Sequence, residues 1–165
     1  MRVLSFDPGS TKSGWAELDV ADAFGPIVLR YVAAGEVPST RDAVRDLIVN
    51  SEAEIVAVEK LAGIAYQTKG AGIVSALIAS SNVAGMIAAL AYAEGRQVVE
   101  MPAVEWRRMV CGKPNASDKI IRDVIPRLVR MWPRRSNTHE RDAAGLAIAV
   151  AWRECSAARK VVGGR

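Results

Sequence analysis

The stretch "AEIVAVE", residues 53 to 59, constrains the chain most. After Glu54 it is a continuous apolar run that ends on an acid, Glu59. A strand that is apolar on both faces belongs inside a sheet covered by helices on both sides, and the usual setting is a central parallel strand. The run therefore demands an α/β architecture. Around it, residues 2 to 7, 13 to 20 and 26 to 37 read as three strands separated by turn residues such as Gly9 and Pro26, close enough in sequence to pair antiparallel. Ser39 or Thr40 then caps a helix of about 41 to 52, with Val44, Leu47 and Ile48 at helical spacing. After the central strand come a glycine-containing loop (62 to 72), a long helix (71 to 93), a strand (96 to 101) and a short helix (103 to 110). An amphipathic helix over 115 to 132, capped by Ser117 and bent at Pro126, and a last helix over 138 to 155 complete the chain. A meander followed by alternating strands and helices implies a mixed sheet flanked by helices. With 165 residues this is one domain, 1 to 155, followed by a flexible basic tail, 156 to 165.

Composition narrows the functional classes. Half the residues are apolar and 24% are charged, a globular balance. Cys111 and Cys155 have no CxxC spacing and no histidine partners, so neither a zinc site nor a disulfide framework is expected. The N-terminus gives secretion no support, and a cytoplasmic location is expected. Residues 71 to 93 carry no charge and are long enough to cross a bilayer, yet they are rich in Ala, Gly, Ser and Asn. That content suits a helix buried on two faces, against its own sheet and against a second subunit, and no membrane partner is expected. The net charge is +4, with the basic residues concentrated after residue 95, which permits a polyanionic partner.

Chemistry-bearing residues stand at the element ends. Asp7 closes the first strand and Glu59 the central one, at the edge where open α/β sheets bind ligands. If the two strands are neighbours, the carboxylates meet, and a divalent cation is the simplest relief of their repulsion. Taken alone, Asp7 could equally begin a turn, "DPGS", and Glu59 could pair with Lys60 at the surface. His139 and Asp142, three apart near the start of the last helix, share one face. Asn137 and Glu140 could form a capping box there, with Asp142 favouring the helix dipole.

Over nearly its whole length, from "VLSFDPGSTKSGWAEL" through "VAVEKL" and "WRRMVCGKPNASDKIIRDVI" to "HERDAAGLAIAVAW", the chain resembles the RuvC-like Holliday junction resolvases of the ribonuclease H-like superfamily. The resemblance implies a ribonuclease H-like mixed five-stranded sheet and a catalytic, metal-holding set of Asp7, Glu59, His139 and Asp142. It implies two Mg²⁺ ions per site, with Mn²⁺ a substitute that suits the His139 imidazole, and Glu140 as reserve ligand. Two such ions, about 3.5 to 4 Å apart, activate a water and stabilise the departing 3′ oxygen. Asp7 would bridge them, Glu59 and Asp142 would each hold one, and His139 would hold the second ion or orient the water. The function implied is paired nicking of four-way DNA junctions by a homodimer, with helix 71 to 93 at the interface, leaving 5′-phosphate and 3′-hydroxyl ends. Tyr66, Lys69, Arg107, Arg108, Lys113 and Lys119 are the DNA-contacting residues expected. Tyr66 is the ring nearest the place where several relatives carry an aromatic wedge. A broader branched-DNA endonuclease acting on forks or flaps is the nearest alternative. An ATPase of the sugar kinase or actin class and a non-catalytic junction-binding protein are further ones.

Overall fold

The computed structural model describes residues 1–21, 27–60 and 71–163, without the side chains of 71–74 and 159–163. The strands are β1 (Arg2–Asp7), β2 (Lys12–Ala21), β3 (Val28–Pro38), β4 (Ile55–Lys60), β5 (Gln97–Pro102) and β6 (Val129–Arg130). The helices are α1 (Arg41–Asn50), α2 (Ala71–Ala93), α3 (Ala103–Cys111), α4 (Asp118–Leu128) and α5 (Thr138–Gly163). One sheet takes the strands in the order β5-β4-β1-β2-β3-β6. β1, β2 and β3 form the expected antiparallel meander, while β4 pairs parallel with β1 and with β5.

Two element ends differ from the sequence reading. The helix placed over 115 to 132 stops at Leu128, and Val129 and Arg130 then pair parallel with Leu29 and Arg30 as a two-residue strand, the sixth of a sheet expected to have five. Pro126 lies inside α4 and does not end it. The last helix runs eight residues past 155, to Gly163, because nothing in "SAARKVVG" forbids helix before the glycines.

Strand alternation divides the core in two. Leu4, Phe6, Val56 and Val58 face α1 and α2 with Val44, Ile48, Ala84, Ile87 and Ala91. Val3, Ile55, Ala57, Val99 and Met101 face the opposite way, toward Trp106, Ile121, Ile125 and α5. α5 is the middle layer of that second side: every residue from Ala143 to Ala151 that carries a side chain is fully buried, between the sheet and the α3 and α4 helices. A helix so enclosed needs no polar face there, which is why "AAGLAIAVA" has none.

Small residues let α5 approach at backbone distance. A Cβ on Gly14 of β2 would stand 2.5 Å from His139 Cβ and 2.6 Å from the His139 carbonyl oxygen. Ser5, fully buried in β1, directs its hydroxyl at the Ala143 carbonyl (2.7 Å) and the Ala16 carbonyl (3.0 Å), tying strand to helix. On the other side of α5, a Cβ on Gly145 would lie 2.4 Å from the Trp106 ring.

α2 packs on α1, β4 and β5 through Ala84, Ile87 and Ala91, while Ile78, Asn82, Gly85, Ala89 and Tyr92 are exposed. Its segment Ser75–Ala93 is long and apolar enough to cross a membrane by length and composition.

Gly14→Val should displace the start of α5 and cost about 1–3 kcal/mol, the usual penalty for overpacking a fixed contact. Thermal unfolding would show this as a drop of several degrees, and an unchanged melting temperature would contradict the close approach.

Candidate active site

The β1–β4 register sets two acids side by side. Phe6 stands opposite Val58, so the next residues, Asp7 at the end of β1 and Glu59 one residue before the end of β4, stand level with one another. Val3 and Ser5 on β1, like Ile55 and Ala57 on β4, face α5, and a period of two turns Asp7 and Glu59 to that same side. The "DPGST" stretch beyond Asp7 is the hairpin connection to β2. A Cβ on Gly9 would come within 2.1 Å of the Lys12 carbonyl oxygen, so the turn is too tight for a side chain. Ser39, just past the end of β3, fastens it, its hydroxyl donating to the Gly9 carbonyl (2.8 Å) and its N–H to the Thr11 carbonyl (2.9 Å).

The start of α5 supplies the other half. Asn137 Oδ1 accepts from the Glu140 N–H (2.8 Å) and the Glu140 carboxylate accepts from the Asn137 N–H (3.1 Å), a reciprocal capping box. Glu140, the reserve ligand of the sequence reading, is engaged in this cap. His139 Nδ1 lies 2.6 Å from Asp7 Oδ2. One helical turn on, Asp142 Oδ2 receives the Arg107 guanidinium at 3.0 Å. All four expected residues, Asp7, Glu59, His139 and Asp142, are thus brought to one edge of the sheet. The expected DNA contact Arg107 is turned inward onto Asp142, with its guanidinium 5.2 Å from the centre of the Trp106 ring. Arg108, Lys113 and Lys119 are exposed, and Tyr66 and Lys69 lie outside the described residues.

Trp106 had no role in the sequence reading. It is fully buried between α5 and β4, and its Nε1–H donates to Glu59 Oε2 at 2.8 Å. The ring rests on Gly145, so the indole, and with it the Glu59 carboxyl, has a fixed seat. "AVEWRRMV" signalled only that Trp106 and Val110 share an inner helix face; the bond to Glu59 needs the fold.

The electrostatics are those of acids held together against their preference. Burial pushes the Glu59 carboxyl up to about 7, the nearby Asp7 charge adds to the rise, and the Trp106 N–H opposes it. Burial likewise raises Asp142 to about 6, outweighing the attraction of Arg107, with Asp7 again contributing upward. The hydrogen bond to Asp7 raises His139 above its ordinary value. The Arg107–Asp142 pair is a single contact. It leaves Asp142 Oδ1 and Arg107 Nε buried without a hydrogen-bond partner. A buried carboxylate oxygen so left is costly unless a cation completes it.

Comparison of the whole fold with solved structures gives consistent matches. Thermus thermophilus RuvC superposes with a TM-score of 0.72 at 17% identity, covering 94% of this chain and 96% of that one. In complex with a Holliday junction substrate it matches with a TM-score of 0.75 at 16% identity, over 95% and 96% of the two chains. The fowlpox virus Holliday junction resolvase matches with a TM-score of 0.55 at 13% identity, over 95% and 99%. The chain has the RuvC fold. No protein-family model and no curated protein matches it in sequence, so the likeness resides in the architecture.

On this RuvC fold the donor set suits a hard divalent cation in kind: three carboxylates that repel one another, an imidazole, and the unpartnered Asp142 Oδ1. Among the described residues, no three His, Cys, Asp or Glu side chains already form a ligand group. His139 and Arg107 instead sit on Asp7 and Asp142 as the protein's own counter-groups.

Two measurements test this balance. In chelator, the raised Glu59 and Asp142 favour the neutral, proton-bound native state, so their contribution to stability is fully present below the ordinary values of 4.5 and 3.8 and is lost as pH rises through about 6 and 7. His139, also raised, adds stability below its unfolded value that is lost as pH rises through its native one. Each pKa unit is worth about 1.4 kcal/mol, so a melting temperature that did not fall between pH 5 and 8 would refute the reading. Trp106→Phe removes the hydrogen bond that, with the Arg107 charge, lowers Glu59, and NMR titration of the Glu59 carboxyl should then move upward; a curve that does not move would deny Trp106 its hold on the carboxyl.

Proposed function

We propose that the chain is a metal-dependent, structure-selective endonuclease that resolves four-way DNA junctions by paired nicks. The observation that carries this reading is the meeting of Asp7, Glu59, Asp142 and His139 at one sheet edge, with mutually raised acids and a buried carboxylate oxygen lacking a partner. The fold that holds them supports it, since RuvC matched in complex with a Holliday junction substrate shares that fold.

Asp7, Glu59 and Asp142 would hold Mg²⁺ or Mn²⁺, two ions in the expected arrangement, with His139 beside the second. Bound there, the ions supply Lewis acidity toward the phosphodiester and lower the pKa of the attacking water. The chain's own groups do the rest. Trp106 holds the Glu59 carboxyl in one orientation from a seat that cannot move while Gly145 is beneath it. The Asp7 bond to His139 Nδ1 directs the ring and leaves Nε2 without a protein partner among the described residues, able to accept a proton from water or to serve as a ligand. Arg107 neutralises Asp142 in the free protein and is released to the scissile strand's phosphate when the acid is otherwise satisfied. Arg108, Lys113 and Lys119, exposed on and beyond α3, hold the flanking backbone, with Tyr66 and Lys69 contributing from the β4–α2 connection.

Paired cuts need two sites related by symmetry, and a homodimer across α2 provides them. Ile78, Gly85, Ala89 and Tyr92 supply an uncovered stripe there, with Ile78 49% and Tyr92 80% exposed.

Incubation with labelled four-way, three-way, flap and linear duplex DNA in Mg²⁺ and then Mn²⁺ tests the reading. The expected result is symmetric nicking of the four-way substrate, with 5′-phosphate and 3′-hydroxyl ends, that Asp7→Asn abolishes while binding persists. Equal cutting of linear duplex would overturn the junction selectivity, cutting of forks and flaps alone would favour the broader branched-DNA enzyme, and an active Asp7→Asn would remove the metal mechanism. Sedimentation should give twice the chain mass, reduced to one by Ala89→Arg; a wild-type monomer would refute the α2 interface.

A further inference from the structure

A second charged feature lies on the far side of the same helical turn. The segment between β6 and α5, "MWPRRSN", folds against α4 and the start of α5 to leave an open groove of about 620 Å³. Arg122, Arg134, Arg135 and Arg141 line it, with Trp132 and Glu140. Arg141 is committed to the loop, donating to the Ser136 carbonyl and to Thr138 Oγ1 (3.3 Å). Arg122, Arg134 and Arg135 are exposed, and none forms an ion pair within the described residues. The one carboxylate in the groove, Glu140, is held by the capping box with Asn137. Three guanidinium groups, with Arg141 beside them, thus share a concave surface with a single carboxylate, which forms no ion pair with any of them among the described residues.

We propose that this groove holds the phosphate backbone of a duplex arm of the DNA whose strand lies in the acid cluster. The proposal rests on the nuclease reading above. Glu140 and Arg141 line the groove, while their neighbours His139 and Asp142 belong to the acid cluster, so a duplex crossing the N-terminal turn of α5 meets both. The capping box uses the Asn137 and Glu140 N–H groups, so attraction in the groove comes from the arginines and not from a bare helix end. No ring is offered for base stacking. Trp132 is 9% exposed, packs edge-on against Tyr31, and gives its Nε1–H to Ser136 Oγ (3.2 Å). The groove is built to grip backbone without reading bases, which suits an arm of arbitrary sequence.

The test is the salt dependence of binding, measured in chelator so that cutting does not intrude, on a four-way junction and on linear duplex. Arg134→Ala/Arg135→Ala should reduce the slope of log affinity against log salt by about two, at ~0.9 for each phosphate that is no longer neutralised, alike for every arm sequence. Arg127→Ala/Arg130→Ala removes the same charge from exposed positions outside the groove and should leave the slope nearly unchanged. Equal effects of the two pairs, or an unchanged slope in a protein that still cuts junctions, would overturn the groove and leave the nuclease reading standing. Wild type that binds neither DNA would end both. A polyglutamate peptide bound as tightly, with the same dependence on Arg134 and Arg135, would transfer the groove to a protein partner.

Discussion

The structure depends on a helix pressed against a sheet at backbone distance. Gly14 admits the His139 backbone, the Ser5 hydroxyl grips the Ala143 carbonyl, and Gly145 yields its place to the Trp106 ring. Together these contacts fix where the first turn of α5 ends up over β1 and β4. A Cβ at either glycine would force His139 or Trp106 to shift, whereas Asp7 and Glu59 are set level independently by the β1–β4 register.

What the alignment produces is electrostatic frustration. Glu59 and Asp142 are buried and both feel Asp7, so ionising all three in isolation is unfavourable, and the protein answers with partial measures: an indole N–H, one arm of a guanidinium, an imidazole. Each neutralises incompletely. A structural ion pair would be expected to close with two parallel bonds, as arginine and carboxylate readily do. The single Arg107 contact, with Nε and Oδ1 both left over, marks a resting arrangement more than a finished one.

Much of this was legible in the residues. The apolar run 53 to 59 announced a covered central strand, and the shared strand-end position of Asp7 and Glu59 anticipated their meeting because parallel neighbours in register carry equivalent positions level. His139 and Asp142 followed from helical spacing, and the Asn137–Glu140 capping box from its sequence signature. The misses have physical reasons. Val129 and Arg130 continue an amphipathic helical pattern, and only the edge of β3, a tertiary partner, converts them to strand. Trp106 and Arg107 are ordinary members of an amphipathic helix until the packing of α3 on α5 turns one toward Glu59 and the other toward Asp142. Such roles are set by rotamer and neighbour, which spacing alone does not encode.

The uncovered face of α2 carries a geometric consequence. Positions 78, 85 and 92 and positions 82 and 89 are two interleaved series of period seven. Because 3.6 residues make a turn, a seven-residue series drifts only about 20° per repeat, so the stripe winds slowly to the left along the helix. A helical companion laid on it would run almost alongside, inclined by about 20°, and could not cross it steeply without leaving most of the stripe wet. The axis of α2 would therefore dictate the mutual tilt of any two sheets joined through it, and with that tilt the separation of the acid edges at which each sheet ends.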